Sequence, residues 1–179
     1  MISKVRALAG MITVLFLANM LTSAYGQPAD LTVNLLVDET VDFGSVTISY
    51  SDGYIHVIYT VEEPGWFLTE VHVDVEQNPA SFPVTRSGNP KVGKFAYPYE
   101  LTPPTCDELY GTISEGQTTY PVDVPWTAAF PVYIAAHAEL LHWSWNLEDG
   151  CVYSDETGWG EGTQFSGHSW AMYIIFPPE

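Results

Sequence analysis

Basic side chains are scarce in this 179-residue chain, which has 5 Lys and Arg residues against 22 Asp and Glu residues. A nucleic-acid-binding protein neutralises phosphates with clustered Lys and Arg, so nucleic acid is not an expected partner. The formal charge of −17 favours divalent cations or a basic partner instead, although solubility or salt tolerance would explain the acidity equally well. Disorder is not expected, because 46% of the residues are hydrophobic and 14% are aromatic.

Long apolar runs are missing except at the N terminus. There, two basic residues precede an apolar run over 8–21, and the small residues Ala24 and Gly26 follow it. This pattern predicts a cleaved signal peptide, 1–26, and a secreted domain, 27–179, outside the cell, in the periplasm or at the cell surface. An uncleaved membrane anchor is the alternative, but the run is shorter than the roughly 20 apolar residues of a spanning helix. No membrane span is predicted in the mature chain.

Cysteine is rare, and the two residues present are Cys106 and Cys151. Neither has a second Cys or His at the spacing of a zinc motif. In an exported chain, two cysteines beside turn residues predict one disulfide between two loops.

Helical periodicity is also absent from the mature chain, and strand patterns take its place. The runs 46–50 and 54–61 flank Asp52-Gly53, which is a strong hairpin signal. Residues 78–93 are predicted to form a long exposed loop, because Pro and Gly are frequent there. Further strands are predicted at 66–75, 118–124, 132–138, 140–145, 151–153 and 169–176. Strands at such intervals predict an all-β fold, a single antiparallel β-sandwich.

The C-terminal residues 156–173 read ETGWGEGTQFSGHSWAMY. This segment resembles the closing motif E-T-x-W-x-x-G-T-x-F-x-G-x-x-W-A-x-Y of a group of small secreted bacterial β-domain proteins, and 66–72 and 133–138 resemble earlier pieces of the same group. The chain departs from the group at Gly158, where Ala is usual, and at 140–155, which looks like an insertion. The resemblance implies a secreted β-domain closed by its last strand. It implies no activity.

One predicted strand face carries Glu70, His72 and Asp74 at alternate positions. If the strand containing His137 lies beside it, two imidazoles and a carboxylate could bind a transition metal and support a metal-dependent hydrolase. Glu70 with Asp74 or Glu76 also has the spacing of a glycosidase carboxylate pair. The alternative is a solvated polar face. No G-x-S-x-G or H-E-x-x-H motif is present.

Aromatic residues suggest a second kind of site. Trp143 and Trp145, with Tyr153 nearby, could form an exposed platform that stacks on sugar rings. Alternatively, these rings fill the core, where each can bury about 150–250 Å².

Acidic loops suggest a third kind of site, for Ca²⁺ bound by carboxylate and carbonyl oxygens. The first choice is a group of late carboxylates: Asp149, Asp155, Glu156 and Glu161. The second choice precedes the first predicted strand: Asp38, Glu39 and Asp42. Acidic loops without a ligand are the ordinary case.

These features together predict a secreted, non-catalytic binding or structural module. Its expected partner is another extracellular protein, a copy of itself or a glycan. The alternatives are a carbohydrate-binding module that uses the tryptophans and a metal-dependent hydrolase that uses the histidine face.

Overall fold

The computed structural model describes residues 28–177, and its regular structure is almost entirely extended strand. The strands are β1 (Leu31–Val37), β2 (Val41–Ser51), β3 (Tyr54–Val61), β4 (Trp66–Glu76), β5 (Tyr97–Glu100), β6 (Cys106–Asp107), β7 (Thr112–Ile113), β8 (Thr119–Pro125), β9 (Val132–Asn146), β10 (Gly150–Gly160), β11 (Thr163–Gln164) and β12 (Met172–Phe176). Two single-turn 3₁₀ helices, Pro79–Ser81 and Val92–Lys94, are the helical elements of residues 28–177. The predicted signal peptide lies outside the described residues.

The main sheet has the order β5-β4-β9-β10-β1-β2-β3-β8, and every pairing in it is antiparallel. The first residues of β9 pair with β12, which also pairs with β11. The N–H of Leu68 in β4 donates to the carbonyl of Gln117, just before β8, over 2.7 Å. The two ends of the sheet therefore meet, and the strands pack in a nearly closed, barrel-like or sandwich arrangement. The all-β prediction is confirmed.

The main core lies inside this curved sheet and follows from the two-residue period of its strands. Along β3, Ile55, Val57, Tyr59 and Val61 are buried, whereas the residues between them are more exposed. The corresponding residues of β2, β4 and β9 close over them. Burial of these alternating apolar side chains is the main force that holds the sheet curved.

A second, smaller core lies on the outer face of the sheet, over β9 and β10. Trp159 of β10 packs there edge-on against Phe95, and Phe165 packs against Phe82. The prediction of an exposed loop over 78–93 is therefore wrong at Phe82, which is buried. The loop is anchored because its one aromatic side chain, Phe82, packs into this second core.

Several strand predictions are confirmed. The Asp52-Gly53 turn joins β2 to β3 with both residues at positive φ, 51° and 83°, as a type I′ turn requires. The predicted strands 132–138 and 140–145 form one continuous strand, β9. The last predicted strand, 169–176, begins only at Met172. Across residues 28–177, no helix has the length and hydrophobicity to cross a membrane.

Candidate functional site

The hairpin formed by β9 and β10 extends past both neighbouring strands. β4 pairs with β9 only as far as His142, and β1 pairs with β10 only from Gly158. We call residues 143–157 the hairpin arm. At the turn of the arm, the side-chain oxygen of Asn146 accepts hydrogen bonds from the backbone N–H groups of Glu148 and Asp149, over 2.9 and 2.8 Å. These two bonds fix the conformation of the turn. The arm is therefore a defined structure rather than a loose loop.

A disulfide holds a long loop against one side of the arm. Cys106 and Cys151 are bonded, with 6.0 Å between their Cα atoms, which confirms the predicted pairing. The loop strands β6 and β7 contact β9. The indole N–H of Trp143 donates to the carbonyl of Pro104 over 2.9 Å. A Cβ atom on Gly111 would lie 2.7 Å from the Trp145 ring, so the loop backbone fits closely over that ring.

Exposed apolar side chains are concentrated on the arm and on this loop. Leu147 at the turn is 92% exposed, Leu109 in the loop is 81% exposed and Tyr153 is 61% exposed. The full group is Leu109, Tyr110, Ile113, Trp145, Leu147, Val152 and Tyr153. Seven of the ten exposed large apolar side chains in residues 28–177 thus lie on these two segments, and such a concentration is typical of an interaction site.

The predicted sugar platform does not take a flat form. The rings of Trp143 and Tyr153 lie 5.4 Å apart, but their planes are inclined by 59°. The Trp145 ring is partly covered by Gly111. Sugar stacking of the predicted kind needs exposed rings in one plane, whereas Trp143 is inclined to Tyr153 and Trp145 lies under the disulfide loop.

One edge of β10 has no partner strand within residues 28–177. The N–H of Glu161, just after β10, donates to the carbonyl of Asn34 over 2.8 Å, so position 161 directs its backbone toward β1. Backbone groups in an antiparallel strand alternate in direction. The backbone N–H and C=O groups of Cys151, Tyr153 and Asp155 therefore point away from β9, toward the free edge. The open edge from 150 to 157 is about 23 Å long at the usual rise per residue.

The predicted Ca²⁺ ligands are not brought together. Asp149 lies at the arm turn and Glu161 lies beyond the other end of β10, about 40 Å away along an extended strand. Asp155 and Glu156 are neighbours in β10, so their side chains point to opposite faces. In residues 28–177 no group of three or more His, Cys, Asp or Glu side chains is arranged to hold a metal ion.

The second predicted Ca²⁺ group lies in the turn between β1 and β2. A Glu39 carboxylate oxygen accepts the Gln164 side-chain amide over 2.7 Å, and an Asp42 carboxylate oxygen accepts the Gly44 N–H over 3.0 Å. Asp38 and Glu39 have positive φ. Glu39 therefore links the β1–β2 turn to β11, and Asp42 contacts the backbone of its own strand, β2.

The two histidines of the predicted metal site do meet. His72 and His137 are paired across β4 and β9, and their ring centroids are 5.7 Å apart. His137 also packs edge-on against Trp159, and its Nε2 atom lies 3.5 Å from a Glu139 carboxylate oxygen. The Nε2 atom of His72 lies 3.8 Å from a Glu70 oxygen.

Burial controls the protonation of this histidine face. Burial, with a smaller effect of His72, lowers the pKa of His137 to about 3. Burial also lowers the pKa of His72, against the opposing charges of Glu70 and Glu100. The pKa of Glu139 is raised by burial and by the nearby carboxylates Glu70 and Asp155. At neutral pH both imidazoles are therefore neutral, but among residues 28–177 they do not belong to any group of three side chains placed to hold a metal ion.

The predicted carboxylate pair has one member in the wrong environment. Asp74 is only 5% exposed, and the backbone at Ala96 and Val75 lies close enough to its carboxyl group to affect its pKa. Burial raises the pKa of Asp74, and burial with the Asp74 charge raises the pKa of Glu76. A carboxylate covered by the chain at Ala96 is not positioned to contact a sugar.

A hydrogen-bonded chain that the sequence analysis missed lies on the β2–β3–β8 face. Ser51 Oγ is 2.8 Å from His56 Nε2, and His56 Nδ1 is 2.7 Å from an Asp123 carboxylate oxygen. The order serine, histidine, aspartate matches that of a serine-hydrolase triad. However, the Asp123 side chain is 61% exposed. Acyl transfer also needs an oxyanion site and an enclosed pocket. A cavity of about 310 Å³ lies elsewhere and is lined by Pro79, Ala80, Val84, residues 164–166 and Tyr173.

The sequence held only part of the information needed to predict the hydrogen bonds that join Ser51, His56 and Asp123. Ser51 and His56 flank the Asp52-Gly53 turn that the sequence predicted, whereas Asp123 joins them only through the pairing of β3 with β8.

Comparisons with protein families, with curated proteins and with solved structures found no match to this chain.

Proposed function

We propose that this protein is a secreted, non-catalytic binding module and that it binds another extracellular protein through the hairpin arm and the disulfide loop. The observation that carries the proposal is the group of exposed apolar side chains on these two segments. Among them, Tyr153 and Trp145 belong to the residue types that dominate binding energy at protein interfaces.

The construction of the arm favours binding. The Cys106–Cys151 bond, the Trp143–Pro104 hydrogen bond and the Asn146 turn each restrict the arm before any partner arrives. A surface that is ordered in advance loses less conformational entropy on binding. These three contacts therefore distinguish the arm from a flexible linker.

The charge of the surface limits the choice of partner. Glu148, Asp149 and Asp155 are exposed on the arm, and each ion pair shorter than 4.0 Å in residues 28–177 involves a histidine. The arm carboxylates therefore remain free to meet basic side chains around an apolar contact. Such an interface is steered by electrostatics and weakens as salt is added.

A photocrosslinking pair tests this proposal in cells that secrete the protein. Tyr153 and Tyr54 are both exposed tyrosines, but Tyr54 lies at the β2–β3 turn, outside the arm and its loop. With a photoreactive phenylalanine at position 153, we expect a discrete crosslinked product with a second protein. The same group at position 54 is the matched control and should give none. Equal products at both positions, or none at position 153, would rule out the arm as the binding surface.

A further inference from the structure

The free edge of β10 is a different feature from the apolar side chains beside it. Resting on the proposed function, we infer that this edge binds an extended, basic segment of the partner protein as an additional strand. The segment pairs with the backbone of Cys151, Tyr153 and Asp155.

The backbone geometry supplies the first argument. These three residues direct their N–H and C=O groups outward, and no strand within residues 28–177 accepts them. An extended segment that lies along the edge satisfies these groups with a regular ladder of hydrogen bonds. The edge is long enough for about six residues of such a segment at the usual strand rise.

The other sheet edges supply the second argument. The outer strand β5 contains Pro98, and the outer strand β8 contains Pro121 and Pro125. Proline has no N–H to donate, and prolines at edge strands prevent unwanted pairing. β10 contains no proline and no lysine. The fold blocks two edges and leaves this one open.

The third observation is the negative charge around the β10 edge, which favours a basic segment as the added strand. Asp149 and Asp155 are exposed along the arm, and Asp38 and Glu39 lie where β1 stops beside Gly158. The three basic residues of 28–177 lie elsewhere, in the loop over 78–94: Arg86, Lys91 and Lys94. A second copy of the chain would bring the same negative charge to the edge, whereas a basic segment neutralises it.

The side chains of the inserted segment alternate between the two faces of the arm. On one face they meet Tyr153, and on the other they meet Val152, both of which are exposed. A segment that alternates basic and apolar residues fits this edge, because its apolar residues share one face with Val152 and its basic residues share the other face with Tyr153 and Asp155.

The test uses a short synthetic peptide that alternates Lys and Val, titrated into the intact protein and followed by the backbone NMR signals of β10. The control peptide has the same sequence with an N-methyl group on every backbone nitrogen, so that it keeps its charge but has no N–H group to donate to the ladder on either edge. We expect the control to bind at least about tenfold more weakly, because several hydrogen bonds are lost together. The shifts should be confined to the arm.

A pair of protein variants completes the test. Tyr153→Pro removes an outward N–H without removing a bond to β9, and Tyr153→Phe keeps that N–H. We expect the proline variant to lose about tenfold in affinity relative to the phenylalanine variant. Equal binding of the two peptides, or dimerisation of the free protein through β10, would overturn the inference. In that event a crosslink from position 153 would still support the binding module, so the two proposals fail separately.

Discussion

Replacing both cysteines with serine is expected to lower the free energy of unfolding by about 4 kcal/mol. The Cys106–Cys151 bond joins positions 45 residues apart, and on the chain-entropy view a loop of this length restricts the unfolded chain by that amount. For a domain of this size the melting temperature should fall by about 10 °C. Thermal unfolding followed by circular dichroism measures the change.

The wild-type protein in reductant is the matched control for this double variant. Its melting temperature should fall to nearly the same value, because both conditions remove the same bond. The Trp145 fluorescence should also move toward that of an exposed indole as the loop leaves its ring. A double variant that melts within about 2 °C of the oxidised wild type would contradict the role given to the disulfide.

Acidification from about pH 7.5 to about pH 5 is expected to cost about 2 kcal/mol of stability through His137 alone. The pKa of this imidazole is about 3 in the folded protein and about 6.5 in the unfolded chain. The depressed value means that the unfolded chain takes up the proton first, so stability is full above about pH 6.5 and falls as the pH decreases toward 3. Urea unfolding at several pH values measures this slope.

His137→Gln is the control, because glutamine keeps a polar group but does not titrate. The variant should lose most of the pH dependence between about pH 5 and pH 7, with the remainder due to His72, whose pKa is lowered in the same direction. The raised pKa of Glu139 acts with the opposite sign, because the folded state then binds its proton more readily. An unchanged slope in His137→Gln would show that the buried imidazole does not control acid stability.

Local patterns were sufficient to predict the β2–β3 hairpin and the disulfide. Asp52-Gly53 fixes the β2–β3 turn through backbone conformations that few other residue pairs adopt. The chain contains only two cysteines, which leave one possible pairing. By contrast, β5 was missed because Pro98 interrupts its pattern, and β1 was missed because it ends in a buried apolar run rather than in alternation.

The candidate site depends on contacts that no local pattern encodes. The arm exists because β4 stops pairing at His142 and β1 stops at Gly158, and both limits are set by distant strands. The resemblance implied an insertion at 140–155, a range that includes most of the arm, and this insertion stays a prediction. The sequence could not indicate which edge of that segment remains open, because the disulfide loop covers β9 only in the folded chain.

Amide hydrogen exchange along β10 tests the free edge most directly. In the protein alone, we expect the amides of Tyr153 and Asp155 to exchange quickly, whereas those of Val152 and Ser154 are slowed by bonds to β9. On adding the Lys/Val peptide, the first pair should become protected and the second pair should change little. Uniform protection in the free protein, or no added protection with the peptide, would contradict the account.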